Sequence, residues 1–536
     1  MPNPLGIDRT RKILSELQAP LARAFAAART RDIDLQQVAV ARLSDVATKL
    51  RAAQELAAWA ESAGDLYREQ AAVFAGFVAS EISRMVRDFG PEHGLSQADL
   101  PSEETQSFAR EALAEERARA IGRAVAAQRG RNDCPLDETL VLTRDAARAF
   151  AESEVAPRAE HIHRTDALVP EEFIEKMAEL GYFGLSIPEK YGGVEMGNVA
   201  MVITTEELSR ASLAAAGSLI TRPEILAKAL LNGGTEDQKS YWLPKLASGE
   251  IMAGISVTEP DIGSDVAGVR CRAERATQNG VKGWVINGPK AWCTFAGRAD
   301  VLAVLCRTDP DLSKGNRGLS LFVVPKTRAL GHEFECVQPG GGRLVGKSDA
   351  TPGYRGMHSF TLSFERYFVP AENVVGGEDG LGKGFFLQMA GFSAGRLQTG
   401  GRACGLAQAA LEKTAEYVVD RKQFGKALVD FQLTQYKLGW MATQLAAARA
   451  ITYAAAAAMD EDERKAAPLA SQAKLLACDV AVAVSQEGQL LHGGWGYAEE
   501  YPISRYVVDA QVLPIFEGVK PILQLKVIGR ALLEVK

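Results

Sequence analysis

Apolar positions recur every three or four residues through most of the first 130 positions. Leu14, Leu17, Leu21 and Phe25 share one helical face; so do Leu43, Val46 and Leu50, and then Val78, Ile82, Met85 and Phe89. The stretch "DFGPEHGLSQADLPSEE" breaks the pattern with Gly90, Pro91 and Gly94. Ser102, followed by Glu103 and Glu104, then opens another helix with a hydroxyl cap and acids in the first turn. "QRGRNDCP" (128–135) reads as a linker. From 136 to 250 the helical period continues, punctuated by the turn "SIPEKYGG" (186–193). The texture then changes. "GWVINGPKAW", "DVLAVLCRT", "GLSLFVVPK" and "MHSFTLSFERYFVP" are short β-branched and aromatic runs between Gly, Asn, Asp and Pro, which predict a sheet domain over 251–376. Helices return over 377–536. The predicted class is α+β: a helical extension (1–130), a helical domain (136–250), a sheet domain and a C-terminal helical domain. Ligands favour the places where such domains meet.

Composition narrows the chemistry. The chain has 536 residues, 47% hydrophobic and 24% charged, with a net charge of −6. That balance gives no electrostatic case for nucleic acid or an anionic membrane as main partner. No unbroken apolar run approaches the roughly 18 residues of a membrane span, and "MPNPLGIDRTRKILSELQ" lacks the features of a secretory signal. Seven cysteines are scattered without a CxxC pair, and the six histidines show no ligand spacing. No metal site or disulfide framework is predicted, and a reducing cytoplasm is the expected location. Cys293 reads as a small buried residue rather than a nucleophile. The first 130 residues carry no chemical motif and read as a structural module.

Chemistry gathers later. The turn "ISVTEPDIGSDVAGV" (255–269) sets Thr258, Gly263 and Ser264 around Pro260; its hydroxyls and free amides suit a polar ring edge or a phosphate, or the stretch is an ordinary Asx/Pro turn. Trp292 and Thr294 stand two apart at a predicted strand end, so a regular pleat would place both on one side, one flat and one hydrogen-bonding. "DRKQFG" offers Arg421 and Phe424 for a pyrophosphate and an adenine, and "QLLHGGWGY" supplies Gln489 with close-approach glycines at 493 and 494. No GxGxxG follows a strand, so a Rossmann site is not indicated. In "VLPIFEGVKPILQL", Glu517 sits in apolar company: either a helix-start acid favoured by the dipole, or a desolvated base.

From about residue 137 onward, "PEKYGG", "SVTEPDIGSD", "INGPKAW", "RKQFGKAL", "LLHGGWGY" and "FEG" occur in the order found in the acyl-CoA dehydrogenase family, which this sequence resembles over about three quarters of its length. The resemblance implies a C-terminal four-helix bundle, a middle β-sheet or barrel domain, and FAD. It implies cofactor contacts from Ile255, Val257, Thr258, Gly263, Ser264, Trp292 and Thr294, and from Arg421, Gln423, Phe424, Gln489 and Gly493, partly across a subunit boundary. Glu517 is then the base that takes the α-proton of an acyl-CoA thioester, beside Gly518, in a pocket walled by Ile515 and Phe516. Some members carry the base before an arginine matching Arg396; that place is Gly395 here. Arg222, Arg396 and Arg402, with Ser264, would face the substrate, and an arginine cluster implies a distal carboxylate. Arg222 could instead turn outward or pair with Glu224.

The reaction implied is oxidation of a short branched dicarboxylyl-CoA, (2S)-methylsuccinyl-CoA to mesaconyl-CoA in the ethylmalonyl-CoA pathway, with electron-transferring flavoprotein as acceptor. A glutaryl-type or other short-chain acyl-CoA, an oxidase or monooxygenase on the same fold, and a silent helical scaffold are the alternatives. The sequence departs from the family after "FEG", where "VKP" (519–521) lacks the usual hydrogen-bonding side chains, and in its N-terminal extension. That extension predicts a homodimer in which it packs on its own C-terminal helices and covers the face that family members use to form tetramers.

Overall fold

Helical periodicity in the first 130 residues becomes α1 (Ile7–Glu16), α2 (Gln18–Ala28), α3 (Gln37–Ala60), α4 (Asp65–Phe89), α5 (Glu103–Ala112) and α6 (Glu115–Ala127). The residues that set the period are the buried ones: Leu14, Leu43, Val78, Ile82 and Met85. Ser102 caps α5, its Oγ accepting from the Thr105 amide at 3.2 Å. The structure is a computed structural model that describes residues 5–534. It divides into two compact units, Met1–Asp145 with Thr399–Lys536, and Ala146–Gln398.

The second unit begins within α7 (Glu138–Phe150) and adds α8 (Ala156–Thr165), α9 (Glu171–Glu179), α10 (Gly197–Ala211), α11 (Thr221–Gly233) and α12 (Glu236–Ala247). Its sheet comprises β1 (Ala253–Ser256), β2 (Arg272–Gln278), β3 (Val281–Thr294), β4 (Val301–Arg307), β5 (Leu319–Pro325), β6 (Glu333–Val337), β7 (Arg343–Ser348) and β8 (Ser359–Pro370). The order is β1-β4-β2-β3-β8-β7-β6, with β5 also paired to β4. The β1–β4 pairing and the single β2–β4 partner are parallel; the other pairs are antiparallel. Strand β4 is buried along its whole length. Its alternate residues serve two cores: Val301, Ala303 and Leu305 join Leu226, Leu230 and Leu243 of the helices, while Leu302, Val304 and Cys306 join Trp284, Phe322 and Phe360.

The first unit closes with α13 (Gly384–Asp420, within which the two units divide), the short hairpin β9 (Lys422–Gln423) and β10 (Lys426–Ala427), α14 (Gln432–Glu461), α15 (Glu463–His492) and α16 (Ile503–Ala510). A helical segment from Lys520 to Glu534 follows, π-helical over Leu523–Gly529. Among the described residues one helical stretch, Glu463–Tyr497, is long and apolar enough to cross a membrane. Because 72% of its apolar window is buried, it is a core helix.

The extension shares its core with these helices. α6 crosses α14 at paired glycines: a Cβ on Gly122 would stand 1.8 Å from the Gln435 carbonyl oxygen, and one on Gly439 1.8 Å from that of Ala118. Trp59 and Phe77 meet Tyr453 and Trp440 edge-on, at centroid distances of 5.4 and 5.1 Å. Ser44 donates to the Gln524 carbonyl at 2.8 Å. Residues 128–135 are not a solvent linker. Gly130, Asn132 and Cys134 are buried, and the Gly130 and Asn132 carbonyls accept from Gln408 (2.9 Å) and Arg449 (2.8 Å). This strap lacks regular structure, but side chains satisfy its backbone.

The close crossing makes a sharp demand. Gly439→Leu must push α6 off α14, at a cost of about 1–3 kcal/mol or more. Chemical denaturation should show that loss, whereas Gly6→Ala, where no atom lies within 4 Å of the added methyl, should leave stability nearly unchanged.

Candidate active site

Glu517 lies in the turn after α16, three residues before the helical segment that opens at Lys520, so it is not a helix-start acid. Its φ is +53° and that of Gly518 is +101°. A non-glycine residue held in the left-handed region needs its surroundings to hold it there. They include Lys474 of α15, only 1% exposed. Its Nζ donates to the carbonyls of both Phe516 and Gly518, each at 2.6 Å, so one buried ammonium pins the backbone on both sides of Glu517. Arg402 is fully buried. It donates to Thr399 Oγ1 at 2.6 Å and stacks over the Phe516 ring at 4.8 Å. Arg402 therefore also supports this loop. Phe516 and Glu517 are half-buried, while Ile515 is 61% exposed.

In the second unit the turn after β1 is fixed by another buried lysine. Lys290, with 0% exposure, donates to the Val257 carbonyl (2.8 Å) and pairs with Glu259 (3.1 Å). Glu259 in turn accepts from the amides of Arg270 and Cys271. The Thr258 carbonyl accepts from the Ala291 amide at 2.8 Å, tying the turn to β3. The side chains of Ile255 and Val257 enter the apolar core, leaving only their backbone to contact a ligand. Gly263 and Ser264 are exposed.

Trp292 and Thr294 do not lie on a regular pleat. The β3–β8 register shifts between Lys290 and Cys293, and Trp292 occupies that bulge with φ +57°. The indole is 60% exposed while Thr294 is buried, its hydroxyl 3.0 Å from that of Ser359. Between them Cys293 is fully buried, and burial pushes its thiol up to about 12, which excludes the thiolate a nucleophile would need.

A third group forms in the first unit. Arg421, Gln423 and Gly493 line one cleft of about 610 Å³ with His492, Gly494 and Trp495. Phe424 and Gly425 form the two-residue turn of the β9–β10 hairpin, both with positive φ (+53° and +80°), which leaves the Phe424 ring 94% exposed. His492 stacks on Tyr417 at 4.3 Å and bonds the Gly488 carbonyl at 2.7 Å. Gln489 donates to the Gly496 carbonyl at 3.0 Å, so its amide nitrogen shapes the glycine-rich turn. No atom lies within 4 Å of where a Cβ on Gly493 or Gly494 would stand: the cradle is open.

Arg222 is buried in α11 at 4% exposure and does not turn outward. Arg396 is half-buried on α13, in the same unit.

Residues 137–250, 254–367 and 382–533 match the N-terminal, middle and C-terminal domains of acyl-CoA dehydrogenases. The chain belongs to the acyl-CoA dehydrogenase family. It is 43% identical over 399 residues to (2S)-methylsuccinyl-CoA dehydrogenase of Cereibacter sphaeroides, covering 74% of this chain and 70% of that one. A glutaryl-coenzyme A dehydrogenase solved with glutaryl-CoA covers 76% of this chain and 98% of its own, at 32% identity and a TM-score of 0.68. A glutaryl-CoA dehydrogenase from Mycobacterium smegmatis solved with FADH2 covers 74% and 95%, at 26% identity and a TM-score of 0.64.

The cofactor of the family is FAD, and the residues here fit it. An open glycine cradle beside Arg421 suits a pyrophosphate. The exposed Phe424 and Trp292 rings suit adenine and flavin. The chain is an FAD-dependent oxidoreductase acting on CH–CH bonds. The sequence motifs locate these groups but not Lys474, Lys290 or Glu259. The available signal was a lone lysine in an otherwise apolar helix, "ASQAKLLA", and another inside "INGPKAW".

Proposed function

We propose that this acyl-CoA dehydrogenase oxidises a short branched dicarboxylyl-CoA, (2S)-methylsuccinyl-CoA, to mesaconyl-CoA within the ethylmalonyl-CoA pathway. The observation that carries the reading is the carboxylate of Glu517, presented on a strained turn whose flanking carbonyls are clamped by Lys474. The alternative base position is Gly395, which has no side chain to offer. Glu517 removes the α-proton of the thioester. The α-C–H is a weak acid, so the thioester carbonyl needs a donor as charge develops, and backbone N–H groups of the Glu517 turn are suited to supply one. A bound acyl chain expels water from the turn, which raises the basicity of the carboxylate. When bound, FAD supplies the acceptor for the β-hydrogen, which leaves as hydride. Arg222, buried in α11, holds the distal carboxylate of the substrate, and Arg396 contributes from the same unit. The 43% identity to a (2S)-methylsuccinyl-CoA dehydrogenase supports this substrate class.

Electrons pass on to electron-transferring flavoprotein. The working form is a homodimer in a reducing cytoplasm, where seven buried free cysteines are at home. Exposed Phe424 (94%), Leu490 (73%) and Tyr497 (88%) near the cofactor cleft support burial against a second copy. The packing of the extension on α14 supports its role as a cover within one chain.

Glu517→Gln keeps the shape but cannot take a proton. It should retain FAD and lose roughly 10²–10⁴-fold in kcat; more than about a tenth of wild-type turnover would assign the base elsewhere. With a panel of succinyl-, methylsuccinyl-, glutaryl-, isobutyryl- and butyryl-CoA, methylsuccinyl-CoA should give the highest kcat/KM. Arg222→Ala should then cost about 2–5 kcal/mol on the dicarboxylyl substrates and far less on neutral ones. Equal losses on both would remove Arg222 from the substrate site. Light scattering of the full-length protein should give a dimer, and a stable tetramer would refute the covering role of the extension.

A further inference from the structure

The sequence spaces its histidines too far apart for a ligand motif, but the second unit brings two of them together with a carboxylate. Asp166 ends α8, His332 precedes β6 and His358 precedes β8. One ligand atom from each of the three lies within 4.8 Å of the others. His358 Nε2 is 3.1 Å from Asp166 Oδ1. Two ligands on one tetrahedral cation, with bonds of about 2.0–2.1 Å, stand roughly 3.3 Å apart. The pair is therefore already spaced as ligands of a single ion.

The second nitrogen of each ring is engaged in the way metal-binding histidines require. His358 Nδ1 lies 3.2 Å from the Gly356 carbonyl oxygen, which can only accept, so this nitrogen donates. Its Nε2 then faces a second acceptor, the Asp166 carboxylate. Either a second ring proton or a metal ion satisfies that contact. His332 Nδ1 lies 3.1 Å from Ser348 Oγ, leaving its Nε2 to ligate. Such bonds orient rings in known metal sites. His358 is also buried at 5% exposure with φ +48°, a strained placement of the kind that clusters at functional sites. His332 is exposed and can swing into place. Arg355 lies 3.4 Å from Asp166 Oδ1 and competes for it, but its guanidinium also donates to the Thr351 and His163 carbonyls, both at 3.1 Å. Other lone pairs of the carboxylate remain available.

We propose that Asp166, His332 and His358 bind one divalent transition-metal ion of the zinc class. Two imidazoles and one carboxylate suit such an ion, with water in the remaining position. The ion staples the end of α8 to the lead-ins of β6 and β8. The site uses none of the residues assigned to FAD or to proton transfer, so it stands or falls independently of the proposed reaction.

The test uses tag-free, FAD-loaded full-length enzyme, stripped with a chelator, exposed to Zn²⁺ and passed through gel filtration before elemental analysis. One equivalent of zinc per chain is expected, together with an upward shift in Tm. His332→Gln changes an exposed residue and should fold; it and His358→Gln should each weaken binding at least tenfold, while His161→Gln, an exposed histidine outside the cluster, should bind as wild type. Zinc that is not retained by the wild type, or is retained equally by all the variants, would overturn the assignment.

Discussion

The turn that presents Glu517 depends on a buried ammonium and two carbonyl oxygens. Lys474 sits 1% exposed within an apolar helical core and donates at 2.6 Å to the residues on either side of Glu517. A charge placed there without good geometry would be costly. Here it satisfies two carbonyls of an irregular turn that has no ladder to join. Removing the amine would take a donor from both oxygens and loosen the backbone that holds Glu517 at φ +53°.

The same device recurs in the other unit. Lys290 anchors the turn after β1 through the Val257 carbonyl, and Glu259 balances the charge while collecting two further amides. In both places a residue needed outside regular structure is presented by a side chain from regular structure, α15 in one case and β3 in the other. Rigid scaffolds commonly position functional loops in this way. The extension contributes at a remove: by sharing a core with α14 through the Gly122–Gly439 crossing, it stabilises the unit to which both α15 and the Glu517 turn belong.

Much of this was legible in the sequence, for identifiable reasons. Periodicity located the helices of the extension because their apolar stripes are what they bury, and the change to β-branched runs located the sheet. The glycine and aromatic motifs marked the open glycine turn and the exposed Phe424 hairpin tip, since few other residues permit an open cradle or a positive-φ turn. Legibility failed where tertiary partners override local pattern. The pleat argument placed Trp292 and Thr294 together, but a bulge opposite β8 separates an exposed ring from a buried hydroxyl. Residues 128–135 read as a linker because nothing local reveals that Gln408 and Arg449 cover their carbonyls. Nothing local in the sequence shows that Arg402 also stacks on Phe516 and donates to Thr399. Histidines 26 residues apart in sequence, His332 and His358, meet only because β6 and β8 flank β7.

The central claim is that Glu517, held by Lys474, moves the α-proton. Exchange of the substrate α-hydrogen with deuterium from solvent, followed by NMR on enzyme whose flavin has first been reduced, isolates that step from oxidation. The wild type should exchange readily, Lys474→Met should exchange slowly while keeping its FAD, and Glu517→Gln should not exchange. Exchange at the wild-type rate in Glu517→Gln would contradict the account.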